Sequence, residues 1–98
     1  MASVRLLLRA EADLEDAVAW YEARSQAVAR RFEDAVTAAL SRIAVMPEMY
    51  ALIDDWHRLC PLRKSQYLIA YRFDQTLDDV VVIALPHAKQ HPRSWPGP

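Results

Sequence analysis

The run Val80-Val81-Val82-Ile83-Ala84-Leu85 constrains this chain more than any other stretch. Four consecutive β-branched residues favour an extended backbone, and the apolar run is too short for a buried helix. With no polar residue to turn toward water, the segment reads as the central strand of a sheet, covered on both faces. It leads into Pro86-His87-Ala88-Lys89-Gln90-His91-Pro92-Arg93-Ser94-Trp95, which is polar, basic and punctuated by proline. Rigid elements position the loops that carry function. Everything upstream can therefore be read as a scaffold that presents this cluster.

The scaffold is legible from its periodicity. Val4, Leu6 and Leu8 alternate with Ser3, Arg5 and Leu7, predicting a first strand with one face on the core. From Ala10 to Arg24 the period lengthens: Ala10, Leu14, Ala17, Val18 and Tyr21 share one helical face, and Glu11, Asp13, Glu15, Asp16 and Glu22 cover the other. Ser25 can cap a second helix, along which Val28, Phe32, Ala35, Val36, Ala39, Leu40, Ile43 and Met46 recur at spacings of three and four. Pro47 ends it. Glu48 to Asp55 is irregular, with Tyr50, Leu52 and Ile53 expected against the core. Three strand-like segments follow, Trp56 to Arg63, Tyr67 to Phe73 and Val80 to Leu85, separated by turns that contain no glycine. Pro61 directs the second strand toward an edge or a bulge, because proline cannot donate to a ladder. The expectation is an α+β fold of order β-α-α-β-β-β, an N-terminal helix hairpin packed on a small, mainly antiparallel four-stranded sheet. At 98 residues the chain is read as one domain, 1–98, with a Pro-rich tail over 92–98. Trp20, Phe32, Tyr71 and Phe73 are expected in the core; Tyr67 is expected either beside them or exposed. Trp56 and Trp95 are weighed as contact anchors, with Trp95 alternatively packed back on the sheet.

Composition narrows the function classes. A lone Cys60 makes no internal disulfide, and no apolar run approaches the roughly 20 residues of a membrane helix. A soluble, cytoplasmic protein is expected, with no membrane association. The sole glycine is Gly97, which excludes a glycine-rich phosphate loop. The net charge of −1 hides a split, since residues 1–55 carry six Lys/Arg against ten Asp/Glu and residues 56–98 carry six against three. A basic sheet side could meet an anionic partner, nucleic acid or an acidic protein segment; a plain solvated surface fits the same charges.

Two chemistries can be assembled from the polar residues. Metal-free RNA cleavage needs a base, an acid and a cation for the developing phosphate charge. His87 or His91 can act as base or acid, with Lys89 and Arg63 as the clamp. Equally, His87 can be a strand-end residue bonded to backbone, and His91 and Arg93 solvated tail positions. A metal set of His57, Cys60, His87 and His91 is disfavoured, because the four-residue spacing of the last two binds a metal on a helix and Pro92 breaks it. No metal and no other cofactor is expected.

Several segments together resemble the RelE/ParE superfamily of type II toxin–antitoxin toxins. They are Ala10-x-x-Asp13-Leu14 with Trp20-Tyr21-Glu22, Phe32 with Pro47, Arg58 followed by Leu62-Arg63-Lys64, Tyr67-x-Ile69-x-Tyr71-Arg72, and the ending His87-x-Lys89-x-x-Pro92-x-x-Trp95, which resembles the ParE-like branch. The ParE-like resemblance implies a growth inhibitor, linked to plasmid stabilisation, that binds DNA gyrase and leaves cleaved DNA trapped. It also implies neutralisation by an antitoxin whose C-terminal segment wraps the toxin, in a homodimer or a toxin–antitoxin hetero-oligomer. Arg58, Arg63, Lys64, Tyr67, His87, Lys89, Arg93 and Trp95 are then the partner-binding residues. The alternative is a RelE-like, ribosome-dependent mRNA endonuclease using Arg63, His87, Lys89 and His91. The sequence departs from that branch: Gln90 stands where relatives carry an arginine, and Trp95 and Pro96 supply no phenol. Ser65-Gln66 also replaces the Phe-Pro usual before the tyrosine.

Overall fold

The computed structural model describes residues 1–88. Its elements run β1 (Ser3–Leu6), α1 (Leu8–Glu22), α2 (Gln26–Val45), β2 (Arg58–Pro61), β3 (Leu68–Asp74) and β4 (Asp79–Ala84). The α+β order β-α-α-β-β-β is the one expected from the pattern. The sheet is ordered β1-β4-β3-β2, with β1 parallel to β4 and the other two pairs antiparallel.

β4 lies inside the sheet, and every residue from Val80 to Leu85 is buried. Val80 and Val82 join Phe32, Val36, Ala39 and Ile43 of α2 and Ala10 and Ala17 of α1 in one core, together with Cys60, Ile69 and Tyr71. The alternation of the strand turns Val81 to the opposite face. There the register sets Arg5 of β1 on one side of Val81 and Arg72 of β3 on the other. A register shift between Ala70 and Tyr71 adjusts β3 to its neighbour.

Helix boundaries follow local hydrogen bonding. The Leu7 amide donates to the Val82 carbonyl, the last rung of the parallel ladder, and the Leu7 carbonyl then accepts from Glu11 to open α1. Leu8 therefore starts a helix instead of extending β1 toward the core as the alternation predicts, and it is 84% exposed. The Ser25 side chain accepts from the Val28 amide at 3.3 Å, the cap expected of it. Val28 and Met46, at the two ends of the predicted stripe, are exposed.

The segment between α2 and β2 departs from expectation. Leu52 bridges Arg58, the Ile53 amide donates to the His57 carbonyl, and Leu59 donates to Ala51. The segment thus lies along the outer edge of β2, which leaves Leu52 and Ile53 exposed instead of tucked under the helices. It also shortens β2, because Trp56 and His57 belong to the turn. The Asp54 carboxylate closes that turn: Oδ1 accepts from the Trp56 and His57 amides at 2.7 and 2.6 Å, and Oδ2 lies 2.8 Å from His57 Nδ1. Burial opposes ionisation of Asp54, but these bonds outweigh it and hold the carboxyl below its usual range. Pro61 sits on the edge strand as its chemistry requires. Lys64 and Asp78 take positive φ, 55° and 50°, so the glycine-free turns use left-handed residues where glycine is commoner.

Tyr71 ties sheet to loop. It is fully buried and donates through its hydroxyl to the Pro47 carbonyl at 2.7 Å. Burial pushes its phenol up to about 12 from 10.0, partly opposed by the nearby Arg58 charge. A phenol harder to ionise in the folded chain stabilises the fold fully below its unfolded value, and that contribution is lost as pH rises through the folded one. Stability of the wild-type chain is expected to fall between pH 10 and 12. Tyr71→Phe should cost about 1 kcal/mol at neutral pH and flatten that alkaline decline; urea midpoints measured against pH for both proteins test it.

Candidate functional site

Three chain segments separated in sequence meet at one end of the sheet. The β2–β3 turn is shaped by Ser65, whose hydroxyl accepts from the Tyr67 amide at 3.1 Å, with Lys64 in its left-handed conformation beside it. The exit of β4 pairs with the start of β3 through the Leu68 to Pro86 bond and the Tyr67–His87 bridge. The end of α1 arrives from the helix layer, where the Tyr21 hydroxyl lies 3.2 Å from that of Ser65.

Aromatic rings lock these pieces together. Tyr21 packs on Phe32 with centroids 4.8 Å apart, Tyr67 meets Phe32 edge-on at 5.6 Å and Tyr21 at 6.2 Å, and His87 meets Tyr67 at 5.2 Å, nearly perpendicular. Trp20 extends the series to the surface; it packs against Tyr21 and carries the Arg24 guanidinium 3.4 Å from its ring centroid. Trp20 is 49% exposed, not a core residue as its neighbours in the helical stripe suggest. Between these side chains opens a cleft of about 700 Å³, lined by Trp20, Tyr21, Lys64, Ser65, Gln66, Tyr67 and His87. Burial, and secondarily Tyr21, Asp13 and Asp16, push the Tyr67 phenol up, so that it stays a neutral hydrogen-bonding group. The cleft thus combines a cation, hydroxyl and amide groups, an imidazole and exposed ring surface, a set suited to recognising a macromolecular surface.

Of the residues expected from sequence, Lys64, Tyr67 and His87 come together here. Arg63 is exposed and does not line the cleft. Arg58 lies apart: its Nη1 donates to the carbonyls of Glu48 and Tyr50 at 3.1 and 2.7 Å and so fastens the loop after α2 to the sheet edge. Lys89, His91, Arg93 and Trp95 lie outside the described residues. Sequence reasoning missed Trp20, Tyr21, Ser65 and Gln66 as lining residues, since Tyr21 and Ser65 are 44 positions apart and only the folded hairpin joins them. Among the described residues, no three His, Cys, Asp or Glu side chains are grouped to hold a metal ion, and no helix is long and apolar enough to cross a membrane.

A family model described as the ParE toxin of type II toxin–antitoxin system, parDE, matches residues 4–92. The chain belongs to this family. The match spans both helices, all of the sheet but Ser3, and the cleft. No curated relative matches the chain.

In this toxin Arg58 acts first as a strut. Arg58→Ala should lower stability by about 2 kcal/mol, because two carbonyls lose a charged donor. Lys64→Ala, at an exposed position, should stay within about 0.5 kcal/mol of wild type. Chemical denaturation of the two variants separates the structural arginine from the surface cation.

Proposed function

We propose that this toxin arrests growth by binding DNA gyrase and that a cognate antitoxin neutralises it in a cytoplasmic toxin–antitoxin hetero-oligomer. The cleft at the Tyr67–His87 bridge is the contact for the target. Lys64, Tyr67 and His87 are its described members, and Arg63, Lys89, Arg93 and Trp95 are assigned to the same contact on the family resemblance alone. The observation that carries this reading is the clustering of Lys64, Tyr67 and His87 on a ring-lined surface within a ParE toxin chain. The rings on α1, on α2, just before β3 and at the β4 exit are packed on one another, so the surface is preorganised and little ordering entropy is lost on contact.

The alternative, a RelE-like endonuclease, would set its Arg63 clamp beside His87. Arg63 stands outside the cleft that holds His87, which favours the binding reading over the endonuclease.

Purified toxin should inhibit gyrase-catalysed supercoiling of relaxed plasmid and cause cleaved DNA to accumulate. The double substitution of Lys64 and Tyr67 by alanine should weaken that inhibition by about tenfold or more, as removal of a contact's central anchors does. Undisturbed supercoiling, together with arrested translation and cut ribosome-bound mRNA, would overturn the proposal.

A further inference from the structure

Among the described residues, Trp20 is the one tryptophan that lines the cleft, and it is fixed in place although it is half-exposed. The Arg24 guanidinium lies over one face, 3.4 Å from the ring centroid. Tyr21 meets the ring perpendicularly, with centroids 5.1 Å apart. Arg24 is itself tied down: its amide turns to the Tyr21 carbonyl, and its Nη1 donates at 2.8 Å to the Trp20 carbonyl that the end of α1 leaves open. One side chain thus closes the helix end and clamps the ring.

Trp56, the other exposed tryptophan among the described residues, has no such setting. It stands on the rim of a groove across the sheet face that the helices leave uncovered, with Arg5, Val81 and Arg72 on the floor and Leu52 and Leu77 beside it. Glu48, Asp55, Asp74 and Asp79 line the same groove. No ring or guanidinium among the described residues lies against Trp56. The difference matters for binding, because a ring immobilised beforehand loses little freedom on contact, whereas a free one must be ordered. Rigid tryptophans in polar surroundings are the residues on which binding energy concentrates.

The charges at the cleft select its occupant. Lys64 is the one lysine or arginine among the described lining residues. Asp13 and Asp16 of α1 lie close enough to Tyr67 to act on its phenol, and they oppose a chain of phosphates. A single cation, an open ring and the polar side chains of Ser65 and Gln66 suit a polypeptide that carries one carboxylate and an apolar side chain. We propose that Trp20 is the central anchor of the target contact, taking an apolar side chain of a gyrase segment that sets a carboxylate on Lys64, and that Arg24 is the positioning residue that holds the ring for it. This inference rests on the gyrase reading of the cleft.

Supercoiling by purified gyrase, titrated with full-length toxin, tests it. Trp20→Ala should raise the toxin concentration for half-inhibition by about tenfold or more, and Trp56→Ala should leave it within about twofold. Trp20→Phe, which keeps a ring against Tyr21, should fall between Trp20→Ala and wild type, so that loss of fold is not mistaken for loss of the anchor. Arg24→Ala should raise the concentration about three- to tenfold, and in the Trp20→Ala background it should add less than about twofold, because it acts through the ring. Arg24→Lys keeps the charge without the flat guanidinium and should behave as Arg24→Ala; wild-type inhibition by the lysine variant overturns the positioning role. Inhibition by Trp20→Ala and Trp20→Phe within about twofold of wild type overturns the anchor and leaves the gyrase reading intact. Wild-type toxin that leaves supercoiling untouched overturns both. Trp20-dependent binding of a single-stranded oligonucleotide without gyrase overturns the assignment of the cleft to a polypeptide.

Discussion

The structure depends on β4 being buried on both of its faces while holding hydrogen-bonded neighbours on both edges. A strand of that kind exposes no backbone to water, so each of its amides and carbonyls must be met by β1 or β3. The parallel partner can reach β4 only if the chain between them passes over the sheet, and the helix hairpin is that passage. The hairpin then has a face to bury, and Val80 and Val82 are part of what it buries it on. One short apolar run therefore fixes the sheet order, the side on which the helices lie and the direction in which the chain leaves the sheet.

That exit direction makes the cleft. Beyond Leu85 the backbone stays paired with β3 through Pro86 and His87, so the imidazole is delivered against Tyr67 and not into solvent at random. Asp13 of α1 accepts from the Leu85 amide at 3.1 Å, meeting a donor that the end of the strand would otherwise leave open. A carboxylate of the acidic helix is thus spent on the strand end and is not merely a solvated surface charge. Tyr67, with Tyr21 and Phe32 behind it, gives the polar cluster a stiff aromatic floor.

The fold was legible in the sequence because its signals were physical necessities of the core. Phe32, Val36, Ala39 and Ile43 recur at helical spacing because one stripe faces the sheet, and Val80 to Leu85 lack polar residues because no side faces water. The errors lie where burial does not control the pattern. Leu8 alternates correctly with Val4 and Leu6, yet the parallel ladder ends at Leu7 and the helix begins at once. Leu52 and Ile53 are apolar and were expected inside, but backbone pairing holds them on the rim of β2. Trp20 sits at the flank of its helical stripe, where side chain spacing alone does not separate a core ring from a surface ring. The site was half legible: Lys64, Tyr67 and His87 were found from their chemistry, whereas Ser65 and Tyr21 became neighbours only through the fold. Arg58, with the look of a surface cation, proved to be a strut for carbonyls that no pattern marks.

Among the described residues, the basic side chains of the back half consequently do not form one basic face. Arg63 and Lys64 lie at the turn by the cleft, whereas Arg58 and Arg72 lie along the groove on the far side of the sheet edge, among carboxylates. Net charge over a segment measures neither surface. What distinguishes them is which charges are already answered: Arg5 by Asp79, Arg58 by two carbonyls, Arg72 by no carboxylate among the described residues. Two surfaces of unlike polarity are thus set apart on one sheet, and the rings packed behind the cleft, Tyr21, Phe32 and Tyr67, belong to neither the floor nor the rim of the groove.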